Sequence, residues 1–167
     1  MQTTHHTTTD PRLGWGDGPE TGAAPIPLHR RDGIMPTTAA ALSVRGTTLT
    51  CAAGKSGPPP VHHPLVQDFL DTLTTERRER HTGRCPEAVL ISRYLTSAEA
   101  ARSKRAARKP FTGGDARRAL KHAKITTRRI REQGDPEHGT YAPPCRSCDA
   151  LLAHFGVRAV DPTRTSR

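Results

Sequence analysis

Apolar positions are sparse along this chain, and their spacing changes from segment to segment. Residues 40–44 and 47–53 are small and β-branched on either side of Arg45-Gly46, a pattern that predicts a short hairpin. Gly57-Pro58-Pro59-Pro60 breaks it. Leu65, Phe69 and Leu73, with Val66 and Leu70 beside them, then recur at helical spacing and predict a helix over 65–73. Pro86 stands where a first-turn residue belongs and loses nothing by lacking an N–H, while Ala88, Ile91, Leu95 and Ala98 mark one face of a helix over 86–100 that opens at Cys85. Arg102, Lys104, Arg105, Arg108 and Lys109 read as a basic loop, a type of run that is usually solvated surface. Asp115 is placed to cap a short helix through Lys121, and Ile125–Arg131 alternates as a strand with Ile125, Thr127, Arg129 and Arg131 on one side. A turn at Gly134-Asp135-Pro136 and a loop over 139–144 lead to a helix over 147–155, stopped by Gly156, and a last short strand over 157–160. The order strand, strand, helix, helix, strand, helix, strand predicts an α/β domain, a sheet sandwiched by helices.

Composition narrows where that domain lies. Only 33% of the 167 residues are hydrophobic and 4% aromatic, so a small core is diluted by sequence that cannot repay its ordering entropy. Residues 1–36, rich in Thr, His, Gly and Pro, read as a disordered tail in which His5 and His6 are polar filler. Residues 37–162 read as the folded domain and 163–167 as a second tail. The net charge of +10, mostly from Arg, suits a polyanionic partner such as nucleic acid or equally a biased surface. Neither a leader-like apolar core nor a run of membrane-spanning length is present, so a soluble, cytoplasmic protein with no membrane partner is the expectation, leaderless export being compatible with it. Four cysteines in that setting point to metal or catalytic use before disulfides.

Two motifs carry the chemistry. Cys85-Pro86-Glu87 and Pro144-Cys145-Arg146-Ser147-Cys148 supply three thiolates and one carboxylate, the ligand set of a zinc deaminase with a fourth position open to water. Cys85 opens one helix, and Cys145 and Cys148 are three apart across the first turn of another, so two helix N-termini can converge on one ion. Positive helix ends favour the thiolates zinc requires. Glu87 taken alone reads as a first-turn acid complementing the helix dipole; beside the downstream cysteine pair it reads as the general acid/base.

The flanks extend the pattern. Gly83-Arg84-Cys85-Pro86-Glu87-Ala88 and Gly139-Thr140-Tyr141-Ala142-Pro143-Pro144-Cys145-Arg146-Ser147-Cys148 resemble the YwqJ-like deaminases of the cytidine deaminase-like superfamily, found among bacterial toxin domains, over roughly residues 39–161. The resemblance implies a compact three-layer α/β/α sheet lacking the last strand of many relatives, with helices on both faces. It implies one zinc per chain on Cys85, Cys145 and Cys148, with Glu87 as catalytic proton carrier. The implied reaction is hydrolytic removal of an exocyclic amine from a nucleobase, in a free nucleoside or nucleotide or in nucleic acid. A homo-oligomer completing the pocket walls and an immunity-type partner belong to the same expectation. Two departures bear on substrate contacts. Pro86 replaces the small residue whose N–H holds the base carbonyl in relatives, and the chain has no Asn; recognition is therefore expected from Arg84, Pro86, the Pro143 carbonyl and Arg146.

Two rival readings use the same residues. Cys51 as a fourth thiolate would close the shell and leave a basic nucleic-acid-binding module with a structural zinc, although Cys51 also reads as a small strand residue. Alternatively Pro86 has disabled a deaminase fold. His81, His138 and His154 are secondary candidates for metal or proton transfer and read more simply as solvated or capping residues. Tyr141 suits base stacking and packing equally.

Overall fold

The computed structural model describes residues 37–53 and 58–164. The tail read over 1–36 and the last three residues of the chain lie outside them. Strands β1 (Thr38–Val44) and β2 (Thr47–Ala53) form the expected antiparallel hairpin, Val44 opposite Thr47 and Thr38 opposite Ala53. Arg45 (φ 49°) and Gly46 (φ 85°) are both left-handed, the two-residue turn whose twist suits antiparallel strands. β3 (Lys124–Arg129) pairs antiparallel with the other side of β1, and the two-residue β4 (Arg158–Ala159) runs parallel to β3, giving a four-stranded open sheet in the order β2-β1-β3-β4. Among the described residues five helices complete this mixed α/β fold: α1 (Pro64–Thr72), α2 (Pro86–Ala100), α3 (Lys104–Ala107), α4 (Gly113–Ala119) and α5 (Arg146–Phe155).

The sheet register separates two unlike faces. On one, Leu42 stands between Leu49 and Ile125, and Ala40 between Cys51 and Thr127. α2 lies across this face. Its Leu90, Ile91 and Leu95 join Val66 and Leu70 of α1, Ala116 of α4, and Leu151, Leu152 and Phe155 of α5 in one core. Side chains as fully buried as Leu42, Ile91 and Phe155 each contribute about 1.5–3 kcal/mol through loss of apolar surface to water. The opposite face carries Ala39, Ala41 and Ser43 of β1, flanked by Thr48, Thr50 and Ala52 of β2 and by Lys124, Thr126 and Arg128 of β3. It offers no large apolar side chain to bury, and among the described residues the helices gather on the core face. The sandwich of helices expected of the sheet is thus met on one side.

Several boundaries shift for local reasons. Val66 and Leu70, rather than Leu65, Phe69 and Leu73, form the buried line of α1. The basic stretch is not all loop: Ser103 accepts a hydrogen bond from the Ala106 N–H and starts α3. The Arg102 guanidinium donates to the Ala106 and Lys109 carbonyls and lies 5.5 Å over the Phe111 ring, so it fastens the turn. Asp115 is not the cap of α4. Thr112 is, and Asp115 closes a reciprocal capping box from the third helical position. β3 stops at Arg129 because the chain returns alongside it: the Arg129 N–H donates to the Thr140 carbonyl and the Gly139 N–H to the Arg129 carbonyl. Arg131 therefore lies beyond the strand. No helix among the described residues is long and apolar enough to cross a membrane.

Candidate metal centre

Cys85 and Cys145 are the N-cap residues of α2 and α5, and Cys148 lies in the first turn of α5, 1% exposed. Their sulfur atoms all lie within 4.8 Å of one another, with Cys85 and Cys145 Sγ 3.6 Å apart. Tetrahedral Zn–S bonds of about 2.3 Å place ligand sulfurs roughly 3.8 Å apart, so the trio has the donor type and spacing for such an ion. Cys51 stays outside this group; its thiol points to the neighbouring Ala52 carbonyl on β2.

The convergence has a local cause within the second motif. Between Cys145 and Cys148, Ser147 is buried and its Oγ accepts from the Glu79 N–H (2.9 Å) and donates to the Arg77 carbonyl (2.8 Å). Arg146 donates to Glu79 Oε1 (2.9 Å) and to the Glu76 carbonyl (3.0 Å). These two residues clamp the 76–82 segment that leads into Cys85. Gly83 completes the approach: its φ is +83°, and a Cβ there would come within 3.0 Å of His62 Nε2, which donates to the Gly83 carbonyl at 2.8 Å. Arg146 is therefore engaged by Glu79 rather than presented alone to a substrate. Of the other residues expected to contact one, Pro86 is buried at the first position of α2, Arg84 is half-buried on the same approach and Pro143 is exposed.

Without an ion the trio behaves as one anionic unit. Thiol hydrogen bonds from Cys148 and Cys85, with the Cys148 and Ser147 N–H groups, draw Cys145 down to about 2. The same hydrogen bond to Cys145 pushes Cys85 up to about 12 and holds Cys148 well above an ordinary thiol. A bound cation reverses the last two, since coordination deprotonates a thiol outright.

Glu87, 4% exposed, stands in the first turn of α2 directly behind this trio. Burial raises its pKa, and hydrogen bonds from Thr127 and from the Cys148 thiol oppose the rise. Thr127, itself 4% exposed, donates from Oγ1 to Glu87 Oε1 at 3.0 Å. Thr127 was visible in the sequence only as an inward-facing strand residue; its role depends on which helix crosses β3. Tyr141 forms an antiparallel bridge with Arg128, and its hydroxyl is held above the ordinary range by burial and then by Asp161 and Glu87. Two of the three secondary histidines, His138 and His154, are engaged elsewhere. His138 Nδ1 accepts from the Arg131 N–H, His154 stacks on Phe69 with centroids 4.3 Å apart, and His81 is half-buried ahead of Gly83.

Three thiols able to hold a metal ion at two helix N-termini, backed by a buried carboxyl, define the class of site. The family model for YwqJ-like deaminases matches residues 28–157, and the chain belongs to that family. No curated protein and no solved structure matches it.

Proposed function

We propose that residues 37–162 form a zinc-dependent hydrolytic deaminase domain acting on the exocyclic amine of a nucleobase. The observation that supports this reading best is the convergence of three sulfurs within 4.8 Å beside a buried Glu87 held by Thr127. Cys85, Cys145 and Cys148 would hold one zinc ion, which would supply a water acidified enough to act as a nucleophile near neutral pH. Glu87 does the proton work. Its raised pKa lets the carboxylate accept a proton from the attacking water and pass it to the ring nitrogen, then carry the second proton of that oxygen to the departing amine, which leaves as ammonia. Thr127 keeps one carboxyl oxygen occupied, which leaves the other to face the reacting atoms. Pro86 presents no N–H to a base carbonyl, so orientation of the ring falls to other groups, the exposed Pro143 carbonyl and Arg84 among them.

The deciding experiment is ammonia release by zinc-loaded protein across free nucleosides, nucleotides and single-stranded nucleic acids, with Glu87→Gln as control. Turnover with the wild type and its loss by several orders of magnitude in a Gln variant that retains zinc is the expected result. Equal turnover in the two proteins would remove Glu87 from the mechanism.

A further inference from the structure

We propose that the sheet face on which no helix lies among the described residues is a binding surface for single-stranded nucleic acid, with β3, β4 and the Tyr141 segment as its cationic border. The register lays this face out in three rows. Ala52, Ala39, Arg128 and Tyr141 form one; Thr50, Ala41 and Thr126 the next; Thr48, Ser43, Lys124 and Arg158 the last. The β2 and β1 positions are thus all Ala, Ser or Thr, while cations and the one aromatic ring stand along β3 and its outer edge. Ala39, Ala41, Thr50, Ala52, Thr126 and Arg128 line a shallow groove of ≈ 440 Å³. A second hollow, of ≈ 450 Å³, takes in Lys124, Tyr141, Arg158 and Arg164 and continues the same border. Lys124, Arg128, Arg158 and Arg164 are exposed, and none takes part in an ion pair among the described residues. The acid of the border, Asp161, accepts from the Thr163 N–H and Oγ1.

Charge complementarity selects the occupant. A second copy of this face would bring these cations toward their own counterparts. A folded protein partner gains most of its affinity from large aromatic or aliphatic anchors at the centre of an interface, and the centre here is Ala41 and Thr126. A single strand asks for what is present: cations along its backbone and an aromatic edge on which a base can stack, with little demand for apolar depth. Lys124 and Arg128 are spaced about 13 Å apart along β3, and Arg158 lies about 5 Å from Lys124 across the parallel pair, so one strand can meet all three. The Tyr141 end lies four residues before Cys145, at the loop that enters the metal centre. The inference rests on the face alone and stands whether or not the domain turns over a substrate.

The test uses the full chain and a labelled single-stranded oligonucleotide of about 20 nucleotides, longer than the ~4–16 that one small domain covers. Anisotropy titrations run between about 50 and 200 mM salt. The triple variant Lys124→Gln, Arg128→Gln, Arg158→Gln should lower the salt slope by about 2, at roughly 0.7 per lost phosphate contact, and weaken binding at least tenfold at the lower salt. Tyr141→Leu should weaken binding at every salt concentration without changing the slope. Arg105→Gln with Arg108→Gln, on the α3 turn, should change affinity less than twofold. Should the triple variant melt early, Lys124→Gln and Arg158→Gln are measured singly, each expected to remove one contact. The proposal is overturned if wild-type protein does not bind, if the α3 pair weakens binding as much as the triple variant, or if poly-glutamate displaces the oligonucleotide at equal charge concentration. The last outcome would assign the face to acidic protein.

Discussion

Glu87→Gln should make the metal-free protein more stable. The wild-type carboxyl is buried, receives hydrogen bonds from Thr127 at 3.0 Å and from the Cys148 thiol, and shares its surroundings with a trio that already bears the charge of Cys145. A glutamine of the same shape retains the acceptor for Thr127, carries no charge to desolvate and offers an amide donor to the sulfurs. Meeting the hydrogen-bonding need of a buried charged group is worth about 1–3 kcal/mol, and functional residues of this kind are commonly stabilised when neutralised, so a gain of about 1–2 kcal/mol is expected at neutral pH. The sign with pH follows from the raised carboxyl. Above its folded value Glu87 is ionised and penalises the fold; as pH falls toward the ordinary carboxylate value of 4.5 it takes up a proton more readily in the folded state, so wild type gains relative to Gln and the gap closes. Cys145, drawn far below the ordinary thiol value, costs both proteins stability as pH falls, and because the two share it that slope cancels from the gap. Urea unfolding with chelator and reductant, at pH ~7 and ~5, measures the gap at both ends. A Gln variant no more stable than wild type at neutral pH, or a gap that fails to narrow on acidification, would refute the argument.

Three further outcomes are expected. Cys85→Ser, Cys145→Ser and Cys148→Ser should each abolish stoichiometric zinc in the purified protein while Cys51→Ser keeps one equivalent, read by metal analysis and X-ray absorption; a fourth sulfur in the shell would contradict the site. Thr112→Ala removes the side-chain half of the capping box and should cost about 0.5–2 kcal/mol, whereas Thr112→Ser should cost little, as thermal melts will show. Burial lowers the pKa of His62 and, with Arg117 nearby, of His154, so their share of stability is full above the ordinary imidazole value of 6.5 and is lost as pH falls from there toward their folded values. His62→Phe should shallow that acid limb in denaturant titrations; an unchanged limb would show that His62 does not drive it.

What was legible in the sequence was what depends on neighbours along the chain. Arg45-Gly46 marked the hairpin, Pro86 the start of α2, Gly156 the end of α5, and the spacing of Cys145 and Cys148 a shared first turn. Thr112-x-x-Asp115 has capping-box spacing, and an acid at the start of a helix reads equally as the cap or as the cap's reciprocal partner. α3 has four residues and no apolar stripe, so only Ser103 signals it. Pairings across the chain were not legible. Thr127 meets Glu87 across 40 residues and Arg146 meets Glu79 across 67, and both follow from how β3 and the 76–82 segment are packed. The far face of the sheet, bare of helices among the described residues, follows from the strand register, which no single strand displays.

The clamp of Arg146 and Ser147 on the 76–82 segment bears on how the domain would take up a metal ion. Hydrogen bonds between two parts of the chain hold Cys85 against Cys145 without help from an ion, so the entropy of gathering the ligands is spent during folding. In a small zinc finger it is spent at binding, and the ion and the fold are lost together. Here loading and unloading become a local exchange on a standing scaffold. A chelator would silence the centre and leave the rest of the domain intact, and resupplied zinc would restore it without refolding.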